Sequence, residues 1–257
     1  MDQLAPPSLS RVLGGPACKD PAAAFEEGAL LLWRDVPLPG LDRLRTLPLL
    51  PDPLLRKLKT KDIEGLKVKR LPWSLWASSP SKAQALWREV FRPAAIWINA
   101  FASEAFPSYR FASAMETWRF VETRDMAMHW DSYAVHVERI GLRVFVNVDS
   151  QPRLWALGPD LLDFAREHHE RLDLGRCRTL SQVALACTKG LEPRDWPRIE
   201  IPPGGLLICQ AQRVGHQVLY GRRMLGFAFQ VETASLTRPE NSPEGLVRRI
   251  HEDHRHA

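Results

Sequence analysis

From Tyr109 onward the chain reads as short β-type runs separated by turns, and this texture restricts the possible folds more than any other feature. Residues 118–122, 127–133, 141–148, 206–209, 216–219 and 224–231 are apolar or alternate with period two, as strands do. The first hundred residues read differently. Asp20 is placed to cap a helix opening at Pro21 and stopping near Gly28, and 29–33 is a short apolar strand. Prolines at 37, 39, 48, 51 and 53 then impose turns. Residues 81–105 carry the spacing of a helical pair broken at Pro93. A helical insert with Leu161, Leu162, Phe164 and Ala165, continued by 172–186, interrupts the strands, and a charged helix follows Ser242. Helices first and strands second predict a mainly β sandwich or barrel with flanking helices. The expected organisation is a loose arm over 1–20, one domain over 21–240 and a charged helical tail over 241–257.

Composition narrows the classes further. With 45% hydrophobic and 25% charged residues in 257, the chain is neither disordered, collagenous nor coiled-coil. No apolar run reaches the length of a membrane span, and the first residues lack a signal-peptide pattern. Cys18, Cys177, Cys187 and Cys209 are scattered, which suits a reducing compartment, so a cytoplasmic location is expected. The densest basic stretch, 56–70, reads as a solvated face. Its alternative role is peripheral contact with an anionic surface of the inner membrane. Nucleic acid is disfavoured as a partner because no aromatic residue interleaves those charges. The oligomeric state stays open.

The chemistry concentrates in His129, Asp131 and His216. Residues i and i+2 of a strand share a face, so His129 and Asp131 aim an imidazole and a carboxylate into one cavity while Trp130 packs away. His216 stands 87 residues after His129, beyond a Pro-Pro-Gly-Gly turn, and opens another strand. Two imidazoles and one carboxylate with open positions form the facial triad of non-haem Fe(II) oxygenases. The clustered His251, His254 and His256 lie among charged residues on the terminal helix and read as solvated surface.

A 2-oxo dicarboxylate bound at such a centre needs a cation for its far carboxylate. Strand 142–148 turns Leu142, Val144, Val146 and Val148 to one side and Arg143, Phe145 and Asn147 to the other. Arg143 is the expected anchor, Asn147 lines the same face, and Gly226 opposite leaves room. Arg222, in an expected hairpin after His216, is the weaker alternative.

The runs Leu142-Arg143-Val144-Phe145-Val146-Asn147-Val148 and Pro152-Arg153-Leu154-Trp155-Ala156-Leu157-Gly158 resemble the Kdo hydroxylase family. The segment from Gln212 through His216 to Gly221, with Leu225 and Phe229, is similar to that family's distal-histidine region, and Ala29 to Leu38 to its first strand and proline turn. The resemblance spans 25–232. It implies a double-stranded β-helix (a cupin-like jelly roll) with His129, Asp131 and His216 as iron ligands. Fe(II), 2-oxoglutarate and dioxygen follow as cofactor and co-substrates. The implied substrate is 3-deoxy-D-manno-oct-2-ulosonic acid (Kdo) of lipopolysaccharide, either a small molecule or a glycolipid. After Asp131 the chain departs from the family's aromatic, proline-rich stretch. Arg119, Arg124, Tyr133 and His136 are placed to meet a polar or anionic substrate. The Asp131 ligand favours hydroxylation or desaturation over chlorination. The alternatives are a hydroxylase of a natural product, amino acid or protein side chain, and a non-catalytic cupin-like module binding metal or ligand.

Overall fold

The computed structural model describes residues 12–50, 76–132 and 139–255. The basic stretch 56–70, Tyr133 and His136 lie outside them. Asp20 caps α1 (Pro21–Glu26) as expected, its carboxylate accepting from Ala23 N at 2.9 Å. Gly28 leaves the helix at φ +83°, a conformation open to glycine, and the chain enters β2 (Leu30–Trp33). The segment read as a loose arm is partly ordered into the sheet, because β1 (Val12–Gly14) pairs in parallel with β2. Helix α2 is Leu41–Thr46.

The expected helical pair is one continuous helical segment. Helix α3 (Pro80–Leu86) runs through a π-helical turn (Trp87–Phe91) into α4 (Arg92–Ala105). Pro93 follows directly on the π-helical turn, a local adjustment of the hydrogen-bond ladder, and the helix continues past it.

The remaining strands are β3 (Phe111–Arg124), β4 (Arg139–Asn147), β5 (Arg153–Asp160), β6 (Arg198–Ile201), β7 (Leu206–Cys209) and β8 (Val214–Glu232). Helices α5 (Leu161–Glu167) and α6 (Leu180–Gly190) separate β5 from β6, and α7 (Pro243–Arg255) follows β8. Two expectations fail here. The described part of segment 127–133, residues 127–132, is not a strand and touches the sheet through one bridge, His129 to His216. Segments 216–219 and 224–231 belong to the one strand β8. Tyr220, Gly221 and Arg223 between them are paired to Leu154, Thr123 and Phe120, which leaves no hairpin.

The sheet order is β1-β2-β7-β4-β8-β5-β6, with β3 also on β8. The C-terminal half of β8 pairs with β3 and β4 and its N-terminal half with β5, so the sheet curls around this strand. Alternation then sorts the side chains. Leu142, Val144, Val146, Leu225, Phe227, Trp118 and Phe120 pack on the helical layer of Phe25, Phe91, Ile98 and Phe106. The opposite set, Leu30, Leu32, Trp155, Leu157, Ile201, Leu207, Cys209 and Val218, closes on itself inside the curl. A third cluster joins α5, α6 and α7.

Helix α7 is therefore docked through Leu246, Val247 and Ile250, and His251 is not mere solvated surface. Its Nε2–H donates to Cys177 O at 3.0 Å and its Nδ1 lies 3.0 Å from His169 Nε2. Among the described residues no helix is long and apolar enough to cross a membrane.

Candidate metal centre

Two separate segments, 129–131 and β8, carry the triad to one place. His129 and His216 face each other across an antiparallel bridge, His129 N donating to His216 O at 3.1 Å and His216 N to His129 O at 2.9 Å. Asp131 N donates to Ala211 O at 2.8 Å, which ties the H-x-D segment to the turn before β8. Trp130 points the other way, as expected from alternation. It is buried against the α5–α7 cluster, and its indole N–H donates to Pro159 O and Arg213 O at 3.2 and 3.1 Å. These bonds hold the segment in register without a strand. Gly158 and Gly215 allow the close approach beside it, since a Cβ on Gly215 would stand 3.0 Å from Pro159 O.

The histidine protons are set by the backbone. His129 Nδ1 lies 2.8 Å from Ala127 O and His216 Nδ1 3.0 Å from Val214 O. A carbonyl can only accept, so each Nδ1 carries the hydrogen and each Nε2 keeps its lone pair. One ligand atom from each of His129, Asp131 and His216 falls within 4.8 Å of the others, and His129 Nε2 is 3.7 Å from Asp131 Oδ1. Burial pushes His216 down to about 4, against the attraction of Asp131, so this ring is neutral at ordinary pH. Trp155 stacks on it at 5.2 Å and 21°. Two imidazoles and a carboxylate suit a first-row divalent ion such as iron.

Arg143 lies on the interior face with Phe145, as the alternation predicts, and there it is bonded to Asp131. Its Nε and Nη2 both donate to Asp131 Oδ2, at 3.1 and 3.0 Å, so it sits at the triad end of the interior. The pairing turns Asp131 Oδ1 toward His129 and favours single-oxygen ligation. Replacing Arg143 by Met should weaken metal binding about 10- to 100-fold, the usual cost of losing a group that orients a ligand. Competition with a chromophoric chelator measures it, and unchanged affinity would remove Arg143 from the metal site.

The other expected cofactor contacts are occupied elsewhere. Asn147 Nδ2 donates to Gln151 O and Ile201 O, both at 2.9 Å, and so locks the turn after β4 rather than lining a cavity. Arg222 is bound to Asp149 through Nη2 at 2.6 Å and Nε at 3.2 Å, and Arg223 joins the same carboxylate at 2.8 Å. Gly226 pairs with Phe145, not Arg143. Of the expected substrate contacts, Arg124 lies at the exposed end of β3 with Glu122. Arg119 is half-buried, its Nη1 3.8 Å from Met126 Sδ, so it stands on the interior side of the same strand. Sequence reasoning missed Trp130 and Trp155 as supports of the triad. The alternation in 153–157 was the available signal for Trp155.

No family model and no curated protein sequence matches the chain. Solved structures do match, and several are of a Kdo hydroxylase, KdoO, described as a non-heme Fe(II) alphaketoglutarate dependent dioxygenase. Its cobalt(II) complex superposes with a TM-score of 0.60 at 20% identity, covering 90% of this chain and 89% of that one. Its complex with succinate and Fe(III) gives 0.59 at 21%, covering 90% and 88%. The complex with alphaketoglutarate and Fe(III) gives 0.58 at 19%, with the same coverage. The fold of the chain is thus a double-stranded β-helix, or jelly roll, with flanking helices.

Proposed function

We propose that the chain is an Fe(II)- and 2-oxoglutarate-dependent dioxygenase that hydroxylates an unactivated carbon of a polar or anionic substrate, with a Kdo-type sugar acid as the substrate. The reading rests on the triad, in which both histidines are held by backbone carbonyls with Nε2 turned toward one carboxylate oxygen. Superposition on the Kdo hydroxylase over most of the chain supports it. His129 Nε2, His216 Nε2 and Asp131 Oδ1 would hold the iron. Bound there, iron with 2-oxoglutarate and dioxygen supplies the oxidation: one oxygen atom enters succinate as carbon dioxide leaves, and the other is inserted into a C–H bond.

The chain itself positions and shields. His216 is buried beneath Trp155, whereas His129 is partly exposed, so the substrate approaches from the His129 side. Phe145, edge-on to Trp155 at 4.8 Å, with Leu207 and Cys209 behind it, excludes water from the interior. Arg143 keeps Asp131 oriented through two hydrogen bonds to Oδ2. Arg119 is the described cation best placed on the interior side for an anionic group, and a glycolipid acceptor would bring the protein to a membrane surface.

The test is succinate release from 2-oxoglutarate by anaerobically iron-loaded protein after oxygen is admitted. Wild type and His129→Ala are compared with and without a Kdo-terminated lipid A acceptor. Turnover by wild type alone, stimulated by the acceptor, is expected, with a loss of at least about 1,000-fold in the variant. Turnover indifferent to the acceptor would leave the oxygenase and discard the sugar acid, in favour of a natural-product, amino-acid or protein side-chain substrate. A silent wild type that still binds iron would make the chain a non-catalytic module.

A further inference from the structure

Three strands of the sheet continue past the triad as an open floor. Alternation puts Trp118, Leu225 and Phe227 on the helical layer, so their neighbours Thr117, Gly226 and Ala228 face the interior. The same register aligns side chains across β3, β8 and β4 in rows. Ser113, Gln230 and Gly141 form one row, and Met115, Ala228 and Arg143 the next. Arg143 joins this floor to the triad, because its guanidinium is bonded to Asp131. The row of Gln230 lies about 7 Å further out along the strands. The floor is open to solvent: Ser113 is exposed, Met115 is 42% exposed, and Gln230, Ala228 and Gly141 are half-buried.

A cation overhangs this floor. Arg139 stands two residues before Gly141 on β4 and shares its face, and its Nη1 donates to Gln230 Oε1 at 2.8 Å. Gln230 is a diagonal neighbour across the two strands, within reach of a long side chain. The bond draws the guanidinium over Gly141, which has no side chain to block it. Glu232, directly opposite Arg139, is instead bonded to Arg110 at 2.9 Å. Among the described residues the partner of Arg139 is therefore an amide, which orients the half-buried guanidinium without cancelling its charge. Gln230 spends its carbonyl oxygen on this bond and keeps two amide hydrogens to donate. Arg119 lies two rows deeper than Arg143, opposite Met224, in the enclosed interior and away from this open end.

We propose that Arg139 receives the carboxylate of the substrate, while Gln230 and Ser113 meet its hydroxyl groups and Met115 its carbon face. The class so defined is a hydroxylated acid, such as a sugar acid, and the proposal rests on the oxygenase reading. The guanidinium fork matches a carboxylate with two parallel N–H···O bonds. A neutral sugar leaves that charge unanswered, and a substrate amine is repelled by it.

Isothermal titration under nitrogen into the full chain, loaded with Mn(II) and 2-oxoglutarate, tests it. The probes are the methyl glycoside of Kdo and the same glycoside with its carboxylate converted to the methyl ester. Wild type should bind the acid about 10- to 100-fold more tightly than Arg139→Gln, the worth of charge-assisted bonds to one carboxylate. The ester should bind the two proteins alike, and Arg139→Lys should recover part of the loss for the acid. Equal affinity of wild type and Arg139→Gln for the acid overturns the proposal, as does a wild type that does not bind the acid. An equal loss for acid and ester also overturns it, being the mark of a merely structural arginine. A preceding titration of 2-oxoglutarate into the Mn(II) protein keeps the two readings apart. If 2-oxoglutarate binds while the acid ignores residue 139, the Arg139 site falls and the oxygenase stands. If wild type binds no 2-oxoglutarate, the oxygenase reading falls and takes the Arg139 site with it. Matching thermal midpoints show that the variants fold. Should Arg139→Gln not fold, Gln230→Glu, which sets a carboxylate against Arg139 at the same place, must show the same selective loss of the acid.

Discussion

Asp131→Ala is expected to lose metal binding by more than about 100-fold, beyond the usual effect of removing a group that only orients a ligand. It should also lose stability. Asp131 is the partner of Arg143, whose side chain is 13% exposed, and breaking a largely buried pair by deleting one member costs about 3 kcal/mol or more. In a domain of this size that lowers the thermal midpoint by roughly 6–12 °C. Asp131→Asn separates the two effects. The amide retains an oxygen that can accept from Arg143, so most of the stability should survive, while the charged ligand is gone. Chelator competition reads the metal and calorimetry reads the fold. If Asp131→Asn binds metal as tightly as wild type, the carboxylate is not a ligand.

The second large effect is expected at Asp149, far from any reaction. This buried carboxylate accepts from Arg222 and Arg223 and from Gln151 N at 3.0 Å, closing the turn after β4 onto β8. Asp149→Ala leaves two guanidinium groups facing each other and should destabilise the protein by about 3–5 kcal/mol, or roughly 6–20 °C in midpoint. Burial alone would raise the Asp149 pKa, but the hydrogen bonds from Arg222, Arg223 and Gln151 outweigh it and hold the carboxyl below its ordinary value. A carboxyl with a lowered folded pKa contributes its full stability above the unfolded value, near pH 4, and loses it as pH falls through the folded one. The gap between wild type and Asp149→Ala should therefore be constant from neutral pH down to about 4 and close in stronger acid. A gap that stayed open in acid would mean that the ion pairs are not its source.

Both predictions turn on arginine partners, and there the sequence is a poor guide. The apolar pattern was legible: 142–148 sorted its two faces correctly, and Leu142, Val144 and Val146 do pack on the helices. Asp20 was legible as a cap because its partner is three residues away. The H-x-D pair and the later histidine were legible because the metal chemistry demands those residue types. Local signals misled at 216–231, where a Gly-Arg-Arg run suggested a hairpin and pairing on both sides made a continuous strand. They misled again at 127–133, where Trp130 and one bridge, not a strand ladder, hold the histidine.

Helices before strands, the two faces of 142–148 and the three residues of the candidate triad were thus legible in the amino-acid sequence itself. These are local properties of alternation, capping and donor type. Which arginine meets which carboxylate was decided only in the folded chain. Arg143 reaches Asp131, Arg222 and Arg223 share Asp149, and Arg153 ends buried beside Arg119. A guanidinium on a long side chain takes its partner from strand register and from the backbone space that a distant glycine leaves, and neither is written in its own neighbourhood of the sequence.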